Sequence, residues 1–270
     1  MSKIVNVAIV GCGGMGGGHA VAIATGSGQA LWMTDGSKGR ELAPGDTDLK
    51  TKMALSGTFD VKEERQEWAR KQGFNTYSSF EEILDDPQVD VVLIATPNDS
   101  HKELAIRAMK AGKSVLCEKP VMMNSRDFEE VLEVAKETGR VFYPRQNRRW
   151  DKDYLTIKKL FEEKTLGDVF HIESRYHGSR GIPGDWRGMK EKGGGMMFDW
   201  GVHLLDRMVM MIPGKIKTVY ARMTHVTNDE VDDGFIMNMT FDSGITATVE
   251  VGTCNFINLP LWYMAGTKGT

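Results

Sequence analysis

The sequence predicts an α/β protein in which a doubly wound parallel sheet is followed by an α+β domain with a largely antiparallel sheet. Three observations carry this. Short β-branched apolar runs alternate with helical segments as far as about residue 145, the pattern of a parallel sheet with crossover helices. A cluster of glycines directly follows the first apolar run. Beyond it the alternation gives way to a series of strand-like runs, the last two joined by a hairpin signal. At 270 residues the chain suits two domains, divided as 1–145 and 146–270.

Ile4–Val10 is apolar and β-branched, as a buried strand is. The glycines of Gly11–Gly18 lead into a helix over His19–Thr25. Met53–Asp60 is the second strand and Val61–Lys71 a charged helix that Gly73 ends; residues 26–51 then form an insertion. Ser78 and Glu81 have capping-box spacing and open a short helix through Leu84. Val89–Ala95 is the most apolar strand, His101–Ala111 a helix stopped by Gly112, and Ser114–Cys117 a further strand. Ser125–Thr138 is an amphipathic helix stopped by Gly139, and Val141–Tyr143 closes the series. Right-handed crossovers place the strand carboxyl ends, and hence a ligand, along one edge.

In the second part 151–165 reads as a helix, Asp168–His177 alternates as a strand, and a Gly-rich segment leads to a helix over 193–211. Lys215–His225, Gly234–Phe241 and Ile245–Cys254 are strand-like, with Asp242-Ser243-Gly244 as the turn between the last two. Met208, Met210 and Met211 read as core filling. Leu259–Thr270 begins another strand and turn.

Composition narrows the function. A net charge of −3 gives no basic field, which argues against nucleic acid as a partner. Cys12, Cys117 and Cys254 form no C-x-x-C pair, which argues against structural zinc or a disulfide framework and fits a reducing cytoplasm. No stretch approaches the ~20 apolar residues of a membrane span, and no export signal is visible at the N-terminus. A soluble cytoplasmic protein is the expectation.

Gly11-Cys12-Gly13-Gly14-Met15-Gly16 fits G-x-G-x-x-G, after a strand and before a helix. Its glycines permit the tight turn, backbone approach to a pyrophosphate and close helix–strand packing, with the helix N-terminus facing the negative charge. Gly11, Gly13, Gly14, Met15 and Gly16 are therefore candidate dinucleotide-binding residues in a Rossmann domain. The acidic residue that would hold the ribose has two candidates. Asp35 has the expected spacing, ~20 residues on, but its flanks read as a loop. Asp60 ends a convincing strand and immediately precedes a helix, and is preferred. A carboxylate there repels a 2′-phosphate, so NAD is expected, with NADP as the alternative.

Further motifs are Ala95-Thr96-Pro97-Asn98 with His101, Glu118-Lys119-Pro120, Asn147-Arg148-Arg149, and Gly193-Gly194-Gly195-x-x-x-Asp199-x-Gly201-x-His203. Lys119 follows a predicted central strand on the ligand edge, where a lysine can stabilise negative charge developing on an oxygen. Asp199 and His203 are four apart and share a face if helical, which suits a proton relay with His203 as base. A metal site using Asp199, His203 and Asp206 is the rival reading; the relay is preferred because histidine occurs only once there.

In this combination of motifs the chain resembles the Gfo/Idh/MocA family of NAD(P)-dependent oxidoreductases over nearly its whole length. The resemblance implies oxidation of a secondary hydroxyl on a sugar, glycoside or cyclitol, as in an inositol dehydrogenase. It implies Lys119, Asp199 and His203 around the reacting carbon, Thr96, Pro97, Asn98, His101, Glu118 and Lys119 toward the cofactor, and Asn147, Arg148 and Trp186 toward the substrate. It also implies a frequently cis Lys119–Pro120 bond and homo-oligomers formed through the second sheet. Two other readings stay open, namely redox-neutral glycoside cleavage with tightly held NAD and non-catalytic dinucleotide sensing. Family members usually continue well beyond the last residues here, so either a truncated product or an unusually small second sheet is expected.

Overall fold

The computed structural model describes residues 3–26, 49–257 and 259–270. The chain divides into two compact units, Met1–Arg145 and Gln146–Thr270. Asp35 and most of the expected insertion lie outside the described residues.

In the first unit, β1 (Val5–Val10), β2 (Met53–Phe59), β3 (Val91–Ile94), β4 (Ser114–Cys117) and β5 (Phe142–Pro144) form one sheet in the order β2-β1-β3-β4-β5. Every pairing in it is parallel. Successive residues of one strand enter opposite cores. Ala8 and Val10 pack with Val92, Ile94 and Val115, whereas Val7 and Ile9 pack with Leu93, Ala20 and Ile23. Both faces are thus covered, which is why β1 and β3 are continuous apolar runs instead of alternating ones. The helices are α1 (Gly14–Thr25), α2 (Glu63–Lys71), α3 (Phe80–Asp85), α4 (His101–Lys110) and α5 (Ser125–Thr138).

Two sequence expectations shift here. Helix α1 begins at Gly14, five residues before His19, because the glycine turn is itself the first turn of the helix. The cap of α3 is also one residue later than expected. Ser79 Oγ accepts from the Glu82 N–H at 3.1 Å, and the Glu82 carboxylate accepts from the Ser78 N–H and hydroxyl at 2.6 and 2.7 Å. The box is therefore Ser79/Glu82, not Ser78/Glu81.

The second unit contains α6 (Lys152–Glu162), β6 (Val169–His177), a π-helical turn (Met197–Gly201), α7 (Val202–Met211), β7 (Ile216–Thr224), β8 (Gly234–Phe241), β9 (Thr246–Gly252) and β10 (Trp262–Gly266). Its sheet runs β10-β6-β9-β8-β7. It is antiparallel except for the β6–β9 pair. Gly244, at φ +87°, makes the β8–β9 hairpin turn, closed by the Phe241 N–H on the Ile245 carbonyl at 2.9 Å. Leu204, Met208 and Met211 of α7 pack with Phe235, Met239, Phe241 and Val249. Met210, expected in this core, is 50% exposed, because it lies on the opposite side of α7 from Met208. The helix expected over 193–211 starts only at the π turn, since Gly193 and Gly195 are held at φ +72° and +105°, which no right-handed helix accommodates.

The close packing of α1 on β1 depends on one position. A Cβ on Gly16 would run into the Gly11 carbonyl, while one on Gly13 would meet nothing within 4 Å. Gly16→Ala is expected to destabilise the protein by about 1–3 kcal/mol, as overpacking against rigid backbone does. Gly13→Ala should stay within about 0.5 kcal/mol of the parent. Urea unfolding of both variants tests this, and equal midpoints would contradict the packing argument.

Candidate functional site

The carboxyl ends of β1 and β3 flank the point where strand order reverses, the place for a ligand in an open α/β sheet. The glycine turn leaves β1 there. Gly11 is held at φ +88°, and a Cβ on it would lie 2.7 Å from the Ala95 carbonyl carbon. Only a glycine lets the turn lie flat on the end of β3. Gly13 and Gly14 instead have open space where a Cβ would point. They open α1, whose first N–H groups have no intrahelical acceptor, and Met15 completes that turn half-buried. The arrangement is a concave cradle of backbone donors, and it fits a pyrophosphate.

Asp60 joins this cradle. Its Oδ2 accepts from the Cys12 N–H at 2.7 Å and its Oδ1 from the Lys62 N–H at 2.9 Å. The carboxylate is thus pinned between the glycine turn and the approach to α2, with lone pairs remaining on each oxygen for ribose hydroxyls. Burial raises the pKa of the Cys12 thiol, with the Asp60 charge adding to the effect, so Cys12 is a small neutral filler in the turn.

On the far side of the cradle, the segment after β3 is braced by its own polar groups. Thr96 Oγ1 bonds Ser100 Oγ at 2.6 Å, Ser100 Oγ donates to the Pro97 carbonyl at 2.8 Å, and Asn98 is buried. His101 is completely buried, with Nδ1 3.0 Å from the Pro120 carbonyl and Nε2 3.0 Å from the Thr96 carbonyl. Burial lowers its pKa although all its carbonyl contacts favour the proton. Expected to face the cofactor, His101 instead ties the segment after β3 to the Lys119–Pro120 segment from behind.

Glu118 shows the same departure. It is buried, and its Oε1 takes the His19 Nε2 at 2.6 Å and the Arg145 Nη1 at 3.0 Å. Burial alone would raise its pKa, but the His19 hydrogen bond and the charges of Arg145 and Lys119 hold it below the usual carboxylate range. Glu118 is therefore an inward anchor. Lys119 follows it, half-buried, with a cis bond to Pro120.

The second unit gathers its own group. Asp199 lies in the π turn with Oδ1 3.4 Å from Arg187 Nε. The turn is held by Asp232, which accepts the Met197 N–H at 2.8 Å and whose pKa burial raises. His203, near the start of α7, is buried with Nδ1 3.1 Å from Gln146 Oε1. With an amide oxygen as acceptor, Nδ1 carries the proton and Nε2 is the basic nitrogen of the neutral ring. Trp200 stacks on Tyr176 at 3.3 Å between centroids, lies under the Arg148 guanidinium at 4.4 Å and meets His203 edge-on at 6.0 Å. Arg148 also pairs with Asp151 at 2.8 Å. Asn147 is half-buried in a 3₁₀ turn beside Gln146. Trp186 is half-buried under the Arg187 guanidinium at 4.7 Å.

Asp206, the third member of the rival metal set, is engaged by Arg149 at 2.7 and 2.5 Å. Among the described residues no group of three or more His, Cys, Asp or Glu could hold a metal ion. No helix there is long and apolar enough to cross a membrane. His19, Arg145 and Gln146 carry no motif of their own, and sequence reasoning missed all three. The available signal was adjacency, since Arg145 and Gln146 directly precede Asn147-Arg148-Arg149 and His19 lies one turn beyond Gly16.

Comparison with known proteins agrees with this geometry. The GFO/IDH/MocA model for the oxidoreductase family with NAD-binding Rossmann fold matches residues 5–146, and the family's C-terminal domain model matches 154–270. The crystal structure of an NAD-binding protein from Listeria innocua is 48% identical, with a TM-score of 0.86 over 98% of this chain and 72% of that one. The uncharacterized oxidoreductase YdgJ of Escherichia coli (strain K12) is 34% identical over 160 residues, 59% of this chain and 45% of its own. The scyllo-inositol 2-dehydrogenase (NADP(+)) IolW of Bacillus subtilis (strain 168) is 34% identical over 167 residues, 61% of this chain and 46% of its own. The chain thus spans about half the length of these two curated relatives. With both family models matched in order along it, the chain belongs to the Gfo/Idh/MocA family of oxidoreductases, and its first unit is the family's NAD-binding Rossmann domain.

Proposed function

We propose that this protein is an NAD(H)-dependent dehydrogenase acting on a secondary hydroxyl of a neutral sugar, glycoside or cyclitol. The observation that carries the reading is the buried His203, fixed at Nδ1 by Gln146 and braced by the Tyr176–Trp200 stack. A histidine held so that Nε2 is its basic atom is equipped to exchange a hydroxyl proton near neutrality. The two arginines beside the Trp200 and Trp186 rings are matched by acids, Arg148 with Asp151 and Arg187 with Asp185 and Asp199, which suits an uncharged polyol. IolW, a relative that acts on an inositol, supports the same class.

The glycine turn holds the dinucleotide pyrophosphate and Asp60 the ribose hydroxyls. NAD, when bound, supplies the hydride acceptor. Lys119 steadies negative charge on the substrate oxygen. His203 takes the hydroxyl proton, and Asp199 orients or assists it. Asn147, Arg148 and Trp186 belong to substrate recognition. The protein works in the cytoplasm as a homo-oligomer formed through the second sheet, whose outer face alternates in charge across β6 and β9. There His171 meets Thr246, and Arg175 lies between Glu173 and Glu250. Such a face complements a second copy of itself.

Three outcomes are expected. Lys119→Met should lower kcat by about 10²-fold or more, the order of a lost electrostatic stabiliser, with NAD affinity within about twofold by titration calorimetry. Retained turnover would remove Lys119 from the chemistry. Asp60→Ser should weaken NAD about tenfold, or ~1.4 kcal/mol, and shrink the preference over NADP, read as the ratio of the two dissociation constants. An unchanged ratio would place ribose recognition elsewhere. In a panel of inositols and sugars read at the NADH absorbance, NADH should accumulate with turnover. Substrate consumption without NADH would favour the redox-neutral reading.

A further inference from the structure

Glu118 is a buried carboxylate that the proposed chemistry does not use, yet three donors converge on it. His19 Nε2 and Arg145 Nη1 reach the same oxygen, Oε1, at 2.6 and 3.0 Å. The other oxygen, Oε2, accepts the backbone N–H of Lys119 at 3.3 Å. The His19, Glu118 and Arg145 side chains are 8%, 6% and 15% exposed. Arg145 is fixed in turn, its N–H donating to the Cys117 carbonyl at 2.8 Å.

These groups belong to three separate elements. His19 sits in α1, the helix that opens at the glycine turn. Glu118 and Lys119 follow β4, and Arg145 follows β5. A buried carboxylate needs its partners to remain charged, so Glu118 can adopt this position only while α1 and the end of β5 hold theirs. Any displacement of α1 acts on Glu118 through His19, and then on Lys119 through the bond to its N–H.

We propose that His19 and Arg145 are positioning residues for Lys119, acting through Glu118, and that this clamp couples the dinucleotide-binding helix to the lysine. The proposal rests on the reading of Lys119 given above. His19 does this as an Nε2–H donor, which either the neutral Nε2–H tautomer or the imidazolium supplies. An amide of similar reach preserves the donor, whereas an apolar side chain leaves Glu118 with one partner fewer.

The test compares His19→Leu, His19→Gln, Arg145→Met and Glu118→Gln in the full chain. The first readout needs no substrate. Acetic anhydride labelling of Lys119 between pH 7 and 11 is quantified by peptide mass spectrometry, with exposed Lys217 as the internal reference. The second readout is NAD titration calorimetry, and the third is kcat and KM with myo-inositol and NAD. His19→Leu and Arg145→Met should change the Lys119 labelling profile at least threefold relative to Lys217 and lower kcat at least tenfold. NAD affinity should stay within threefold, and His19→Gln should restore both properties to within threefold of the parent. An unchanged labelling profile in His19→Leu and Arg145→Met overturns the clamp, as does failure of His19→Gln to restore it. Should His19→Leu not fold, Glu118→Gln, which keeps the shape and removes the charge, reads the same clamp by the same labelling, and an unchanged profile there overturns it. If the parent makes no NADH from myo-inositol or any other member of the inositol and sugar panel, the proposed substrate class fails, while the labelling still decides the clamp.

Discussion

The close approach of backbone to backbone at the glycine turn is the constraint on which the first unit depends. Gly11 lies against the Ala95 carbonyl group, and Gly16 against Gly11 itself. Neither position has room for a Cβ, so β1, the end of β3 and the start of α1 sit closer together than side chains would otherwise allow. That proximity leaves the cradle at Gly13 and Gly14 open and places the Cys12 N–H on Asp60. It also brings His19, one helical turn further on, within hydrogen-bond reach of Glu118 beyond β4. The open cradle and the His19–Glu118 bond beside Lys119 thus follow from the same steric fact.

Each unit, taken by itself, buries polar groups in pairs or triads instead of filling with hydrocarbon alone. His101 links two carbonyls, Glu118 gathers three donors, and Asp232 holds the π turn. Apolar replacements of similar volume often stabilise as well as such clusters do. What a hydrogen-bonded cluster adds is direction, because its geometry is lost when one member turns. Each of these three clusters stands next to a segment that carries Thr96, Lys119 or Asp199. Their placement is explained by the need to hold a backbone in one conformation.

Sequence periodicity was most informative where a chemical stop signal accompanied it. Ser114–Cys117, Ser125–Thr138 and Gly234–Phe241 match the observed elements residue for residue, and glycine or hairpin turns adjoin all three. It misled where glycine did two jobs. The run before His19 reads as loop by propensity, yet Gly14 to Gly18 are helical because the packing of α1 overrides their cost. Gly193 and Gly195 read as the start of a helix but are left-handed. For the ribose carboxylate, element context led to Asp60 where residue counting led to Asp35. The supporting residues were illegible for a different reason. His19 and Glu118 are 99 positions apart, and Gln146 and His203 are 57 apart, so no local pattern records that they meet.

The second sheet shows why Asp199 and His203 fall where they do. β6 pairs in parallel with β9, and parallel neighbours require a long crossover connection. Everything from Gly178 to Ile245 belongs to that crossover, including the π turn, α7, the edge strand β7 and its neighbour β8. The stretch around Asp199 is therefore released from strand pairing and is free to take an irregular backbone. A π turn adds a residue to one helical turn and commonly marks functional positions, and here it is anchored by Asp232 at its start and leads into the regular helix at Val202. His203 is thereby seated on a helix packed through Leu204 and Met208, while Asp199, four residues earlier, lies in the π turn that leads into it. A π turn that runs directly into a packed helix sets Asp199 and His203 four residues apart, the placement that the proposed proton relay needs, and the topology of the sheet is what makes it available.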